Sequence, residues 1–354
     1  MSEMNDYKWM VRVGCMTFNH ASYIEDAMNG FTMQQTSFPF VCTIIDDAST
    51  DGEQVVIKNY LNEHFNLDDK NIVRYEETDD YLLTFARHKT NLNCYFAVLF
   101  LKYNHYSIKK PKLPYIAEWN DKAKYIACCE GDDYWIDKNK LQKQYDYMNS
   151  HPTCSLCHTN FKMRRGIEEE LITDSNIHRR VNDLQNKHSD LAISILNGID
   201  YRIQTVTTFV RRDSLIKANE ILSPYQNMFL MSDTQLWFVL SRIGEVGYLE
   251  DQTSVYRIHL GSASRTGIAE SHYRFQLSCY EMIVTMARLY SLPQSYQDEV
   301  NSKYIRHLIY YKSFVPKYKV FVKVEYRNNL EHLKYLLMTS CIFRHIVRMR
   351  CTQY

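Results

Sequence analysis

The chain is poor in the residues that make tethers and phosphate cradles. Its 354 residues include only 10 glycines and 7 prolines, which argues against flexible linkers, collagen-like repeats and low-complexity tracts. No G-x-x-x-x-G-K and no G-x-G-x-x-G occurs, so neither glycine loop that grips phosphates with backbone amides is present. A nucleotide bound here must be held through a metal and individual polar contacts. No uncharged apolar run reaches the ~18 residues of a membrane span. The opening MSEMNDYKWMVRVG lacks a basic start followed by an apolar stretch, so no secretory signal is expected. The 10 cysteines are sparse for a disulfide scaffold of this length, and a reduced, cytoplasmic protein is the expectation. Cys154-x-x-Cys157-His158 is half of a zinc site without a second pair, so buried thiols are expected there.

Net charge is also nearly lacking, at +1, but it is unevenly spread. Residues 303–350 hold eleven Lys/Arg against two Glu, so an acidic body carries a basic tail and the two can meet different partners. What is plentiful is tyrosine, 28 in all, a residue suited to surfaces that are part apolar and part hydrogen-bonding, sugar sites included.

Apolar runs alternate with helical patterns through the first half. Strands are predicted at Val11–Met16, Phe40–Ile45 and Asn71–Arg74, with helices over about 21–34 and from DDASTDG to about residue 63. A helix fits 83–104, followed by a proline-containing loop, KKPKLPYIAEW. A strand at Thr153–Thr159 precedes a polar, poorly periodic stretch over 160–200. Gln204–Val210 reads as a strand, Arg211-Arg212-Asp213 opens a helix, and Asp233 opens another that Gly244 ends. EVGYLE and TSVYRIH read as two short strands. Beyond about 270 only helices are expected, near 270–289, 295–313 and 328–349. Alternating strands and helices indicate an α/β fold whose mostly parallel sheet is covered on both faces, with ligands at the carboxyl ends of its strands.

Two acidic turns follow strand-like runs. CEGDDYW, residues 129–135, holds Glu130, Asp132 and Asp133, which repel one another unless water or a cation separates them. Magnesium or manganese accepts one or two protein carboxylates when a substrate diphosphate completes its shell; a solvated turn is the plain alternative. In DDASTD, Asp46 and Asp47 either cap the following helix or accept hydrogen bonds from a base or sugar.

Together these segments resemble an inverting nucleotide-sugar glycosyltransferase of family 2 with a GT-A type, Rossmann-like domain, of the bacterial polysaccharide-assembly type. The resembling stretches are VGCMTFNHASYIEDAMNGFTMQQT, IIDDASTDG, YIACCEGDDYWIDKNKLQKQ, TTFVRRDSL and SDTQLWFVLSRIGEVGYLEDQTSVYRIHLGSAS, covering roughly 9–265. The resemblance implies that Thr17 and Asn19 lie at the nucleotide pocket and that Asp46 or Asp47 contacts the base, commonly uracil or guanine. It implies Asp132 as metal ligand for Mn2+ or Mg2+, Glu130 toward the ribose with Asp133 in support, and Asp233 as general base. Glu130 stands where aspartate is commoner. Arg87, in TFARHKTN, resembles a donor-side arginine, although His88 replaces its customary asparagine neighbour. Arg257 and His259 fall where the family closes over the diphosphate; His259 is either a metal ligand or a hydrogen-bonding loop residue. Trp237 is a core residue or an acceptor face, and Arg211 and Arg212 are surface cations or contacts to an acidic acceptor.

The expected organisation is a GT-A type domain over 1–265 and a basic helical extension over 266–354. The expected donor is a nucleotide-diphosphate sugar, a UDP-sugar foremost, and the acceptor a glycan or lipid-linked saccharide. No nucleic-acid module accompanies the tail. Its helices, with Arg344, Arg348 and Arg350, either cap the body or rest on the inner face of the cell membrane. A nucleotidyltransferase and a noncatalytic carbohydrate-binding protein are the rival functions.

Overall fold

The computed structural model describes residues 7–165, 181, 191–198, 201–259 and 267–351. Most of the polar run after residue 165 and the LGSAS stretch therefore lie outside the described residues. The chain forms two compact units interleaved in sequence: Met1–Ser194 with Ile199–Ala218 and Leu240–Arg257, and Ile195–Gly198 with Asn219–Val239 and Ile258–Tyr354.

In chain order the elements up to residue 258 open with β1 (Trp9–Thr17), α1 (Ile24–Thr32), β2 (Phe40–Asp46), α2 (Glu53–His64), β3 (Phe65–Asn66), β4 (Arg74–Glu77), β5 (Tyr81–His88) and β6 (Cys94–Leu101). There follow α3 (Ala117–Asp121), β7 (Ala123–Cys128), β8 (Tyr134–Trp135), α4 (Lys140–Ser150) and β9 (Cys154–Arg165). After α5 (Leu191–Asn197) come β10 (Phe209–Arg211), α6 (Arg212–Leu222), α7 (Asp233–Ile243) and β11 (Glu245–Ile258). One sheet runs β3-β5-β6-β2-β1-β7-β10-β9-β11-β8, with β4 on β5. Its centre, β6-β2-β1-β7, is parallel, and its margins are antiparallel. This is a GT-A, Rossmann-like arrangement, with helices on both faces.

The central strands read as unbroken apolar runs because both faces are covered. Along β2, Phe40, Cys42 and Ile44 enter one core with Ile24, Phe31 and Ile57 of the helices. Val41 and Ile45 enter the other with Trp119 and Ile116. All seven residues of β2 are buried.

Several expectations are corrected. The helix predicted over 83–104 is the antiparallel pair β5–β6, in register from Tyr81↔Leu101 to Arg87↔Tyr95. An apolar run such as FAVLFL fits a buried strand as well as a helix, and the turn decides: Asn91 Nδ2 donates to the carbonyls of Thr32 and Gln34, and Asn93 Nδ2 to that of Thr36. EVGYLE and TSVYRIH are one strand, β11, whose exposed Glu250-Asp251 only imitates a turn. Gln204–Val210 is mostly a 3-10 turn, and the strand there is confined to Phe209–Arg211.

The smaller unit is helical. α8 (Ala269–Leu289) and α9 (Gln294–Phe314) pack together, burying Leu277, Met282 and Met286 on one and Tyr304, Ile305 and Leu308 on the other. The last predicted helix is two, α10 (Asn329–Met338) and α11 (Cys341–Cys351). Asn328 caps α10 by accepting the Glu331 N–H, and Thr339 Oγ1 returns to the Tyr335 carbonyl where it ends.

Candidate functional site

β1 and β2 run out together at Thr17 and Asp46, which are register partners. The turn after β7 joins the same rim, because the Gly131 N–H donates to the Met16 carbonyl. A side chain at 131 would not fit: its Cβ would stand 2.6 Å from the Cβ of Thr17. Gly131 is thus required by the close approach of the acidic turn to β1.

The loops after β1 and β2 are clasped by polar side chains. Asn19, in the left-handed region at φ 57°, accepts the Thr50 N–H at Oδ1, and its own N–H donates to Ser49 Oγ. Glu53, fully buried at the start of α2, accepts from Thr17 Oγ1, Ser49 Oγ and the His20 N–H. A carboxylate is favoured at that helix N-terminus.

These bonds orient His20. Thr17 spends its proton on Glu53, so the same oxygen accepts the Nδ1–H of His20 at 3.2 Å. Its Nε2 then faces Asp132 Oδ2, 3.9 Å away, with each side chain about one-fifth exposed. A ring nitrogen and a carboxylate oxygen at this spacing leave room for a proton or a cation between them. Imidazole nitrogen and carboxylate oxygen both suit Mn2+, and a hydrogen bond at the far ring nitrogen is the usual support of a metal-bound histidine. This His/Asp pair is able to coordinate a divalent ion.

Arg257, near the end of β11, locks the acidic turn from the other side. Its backbone N–H donates to Asp133 Oδ1 at 2.7 Å, Nη1 to the Asp132 carbonyl at 2.9 Å, and Nη2 pairs with Asp26. The guanidinium is flanked by the Tyr23 and Tyr134 rings, 5.0 and 4.4 Å from its carbon. Burial pushes the Asp133 carboxyl well above the ordinary range, Asp132 and Glu130 add to the shift, and Arg257 opposes it. Asp133 is thus the internal anchor of the turn, and Glu130 is its exposed carboxylate.

Several predicted roles change when the partners are read. Asp46 is buried, bonded to the Ser49 N–H and to Gln54 Nε2, and burial raises its pKa. Asp47 accepts the N–H groups of His105 and Tyr106 and pairs with Lys112 at 2.8 Å, so both oxygens hold the loop after β6. Arg87 is displaced from the site altogether. It pairs in register with Tyr95 and hence Val41, whereas Asp46 aligns with Phe100. Five residues of strand, roughly 17 Å, separate it from the rim, and it lies 4.0 Å from Asp69 instead. Arg257 is committed to the turn by its backbone N–H and Nη1 and to Asp26 of α1 by Nη2. Arg211 bonds the carbonyls of Cys154 and Met148, and Arg212 that of Asp121, so both are internal braces.

In the smaller unit Asp233 opens α7 and accepts the Thr234 N–H at 2.7 Å. Burial and then the Asp233 charge push the Cys279 thiol up to about 12. Trp237 is buried. His259 is the residue after β11 and is half-buried. The half zinc motif falls on β9, where Cys157 and His158 point to opposite faces and His158 Nε2 meets Tyr201 OH at 2.7 Å.

His20 and Glu53 escaped the sequence prediction. Thr50-x-x-Glu53 has the spacing of a capping box, which flags Glu53 as a helix-start residue but not its turn back to β1. His20 directly follows the Thr17-x-Asn19 turn, its only signal.

No family model matches the chain. The uncharacterized proteins Mb1547 of Mycobacterium bovis and Rv1520 of Mycobacterium tuberculosis are each 25% identical to it over 294 residues, 80% of this chain and 68% of theirs. Among solved structures similar to it are S. aureus TarS 1–349 in complex with UDP-GlcNAc (TM-score 0.48, 13% identity, 92% of this chain and 79% of that one) and the mannosyltransferase PcManGT from Pyrobaculum calidifontis in complex with GDP-Man and Mn2+ (TM-score 0.45, 10% identity, 98% and 85%).

Proposed function

We propose that the chain is a metal-dependent, inverting glycosyltransferase that moves a sugar from a nucleotide-diphosphate sugar, a UDP-sugar foremost, to a hydroxyl of a glycan or lipid-linked saccharide in cell-surface polysaccharide synthesis. The observation that carries it is the His20–Asp132 pair at 3.9 Å, with the far ring nitrogen of His20 anchored through Thr17 to Glu53. His20 and Asp132 hold Mn2+ or Mg2+, and His259, two residues along the chain from Arg257, supplies a third ligand. When bound, the ion neutralises charge on the donor diphosphate. Glu130, exposed on the turn, receives the ribose.

Asp233 is the general base. Its carboxylate accepts the proton of the acceptor hydroxyl as that oxygen bonds to the anomeric carbon. The bond from that carbon to the diphosphate oxygen breaks on the opposite side, and the nucleoside diphosphate leaves. One displacement inverts the anomeric configuration, and no enzyme nucleophile takes part. Arg257 and Asp133 position the acidic turn.

The test is transfer from UDP-sugars with Mn2+ by the unaltered protein, Asp132→Ala and Asp233→Asn. Asp132→Ala is expected to lose metal-dependent donor binding, and Asp233→Asn to keep donor binding while losing transfer. Full transfer by Asp233→Asn rejects it as base. Release of pyrophosphate instead of nucleoside diphosphate identifies a nucleotidyltransferase, and sugar binding without turnover a noncatalytic carbohydrate-binding protein.

A further inference from the structure

α10 and α11, in the smaller unit, turn their apolar residues outward. On α11, Ile342, Ile346 and Met349 recur at i, i+4 and i+7, with Phe343 beside them. All four are exposed, Ile342 by 77%. Val347 and Cys351, on the other side of the helix, are buried. On α10, Leu330, Leu333 and Leu337 recur at i, i+3 and i+7 with Leu336 adjoining, again all exposed, while Tyr335 is buried. These spacings gather each set on one helix face. Eight large apolar side chains exposed on two consecutive helices exceed the scattered exposure normal in a soluble fold.

Charge selects the occupant. α11 carries Arg344, Arg348 and Arg350 with no acidic residue, and α10 sets Lys334 against Glu331. The surrounding segment 303–350 holds eleven Lys/Arg and two Glu. A second copy seated on this face would bring two segments of the same net positive charge together. A layer with negative headgroups above an apolar interior matches both features at once. No helix among the described residues is long and apolar enough to cross a membrane; α11, at eleven residues, is about 16 Å long. A short helix with one apolar face and basic flanks lies in the plane of the interface.

We propose that the exposed apolar face of α10 and α11 docks in the headgroup boundary of a bilayer containing anionic lipid. Leu333, Leu337, Ile342 and Ile346 enter the acyl margin, and Lys334 and Arg350, exposed beside these faces, meet lipid phosphates. The attachment is independent of the transferase chemistry.

The experiment is cosedimentation of the full chain with phosphatidylglycerol–phosphatidylethanolamine vesicles and, separately, with phosphatidylcholine vesicles. The unaltered protein is expected to bind the anionic vesicles and to release as salt is raised. Ile342→Glu/Ile346→Glu, at exposed positions that leave the core intact, should bind neither, with an unchanged circular dichroism spectrum and melting temperature. Arg350→Gln should lower affinity for the anionic vesicles about fivefold, the weight of one interfacial cation. The proposal is overturned if the unaltered protein ignores anionic vesicles, or if the double glutamate variant binds them equally well. It is also overturned if that variant instead breaks a dimer seen by size exclusion with light scattering, because a second copy would then cover the face.

Discussion

His20 owes its orientation to two side chains, Thr17 and the buried Glu53. Thr17→Val keeps shape but removes the hydroxyl that joins Glu53 to the imidazole. We expect Mn2+ affinity to fall about tenfold, the usual effect of losing a bond that supports a metal ligand; titration calorimetry reads it directly. Gly131→Ala tests the close approach of the turn to Thr17. The added methyl must displace one of them, costing about 1–3 kcal/mol of stability together with metal binding. A variant that binds Mn2+ normally would show that the turn is free to move.

His158 gives a pH prediction of defined sign. Burial pushes its pKa from 6.5 down to about 3, beside Tyr201 OH. The unfolded chain therefore takes up the proton first. The stability contribution is complete above pH 6.5 and is lost as the pH falls toward 3. Between pH 6.5 and 5 the loss is about 2 kcal/mol. His158→Gln cannot titrate, so its melting temperature should fall less over that window than that of the unaltered protein. Parallel pH profiles would contradict the assignment. Residue by residue, the sequence marked the turns that hold Thr17, Asn19 and Asp132, and the structure brings those turns to one rim. It could not show that Asp46 and Asp47 face inward to loops, since capping and ligand contact use the same atoms.

At the level of elements, β11 is one strand because nothing in LEDQT breaks it, and that continuity delivers Arg257 to the acidic turn. Arg257→Met removes the buried guanidinium that pairs with Asp26 and donates to the Asp132 carbonyl, while the backbone N–H to Asp133 stays. Losing these bonds costs about 1–3 kcal/mol, and thermal unfolding should show a drop of a few degrees. Rescue of the drop by Mn2+ would indicate that the cation and Arg257 stabilise the same turn. The β5–β6 pair was misread as a helix because periodicity cannot separate a buried strand from a buried helix in so apolar a run. The error moved Arg87: on a helix it can face the rim, whereas on β5 the register fixes it five residues away. Asp47 makes a further element-level prediction. Asp47→Ala removes three bonds from the loop after β6, so limited proteolysis should cut near 104–112 faster than in the unaltered protein.

For the whole molecule, the parallel centre of the sheet was legible because strands buried on both faces are written as continuous apolar runs. The helical end was legible from periodicity, and its division at Thr339-Ser340 was not, because side-chain bonds to the last turn carry no hydrophobic signature. Charge is separated along the chain, acidic where the rim gathers Glu130, Asp132 and Asp133 and basic from residue 303 onward. The rim is where a cation is wanted, and the measurement closest to that claim is calorimetric titration of UDP into the protein with Mn2+ and again with chelator. UDP should bind with Mn2+, lose that binding with chelator, and bind neither way to Asp132→Ala. Equal UDP affinity with chelator, or undiminished Mn2+-dependent binding by Asp132→Ala, would contradict the account.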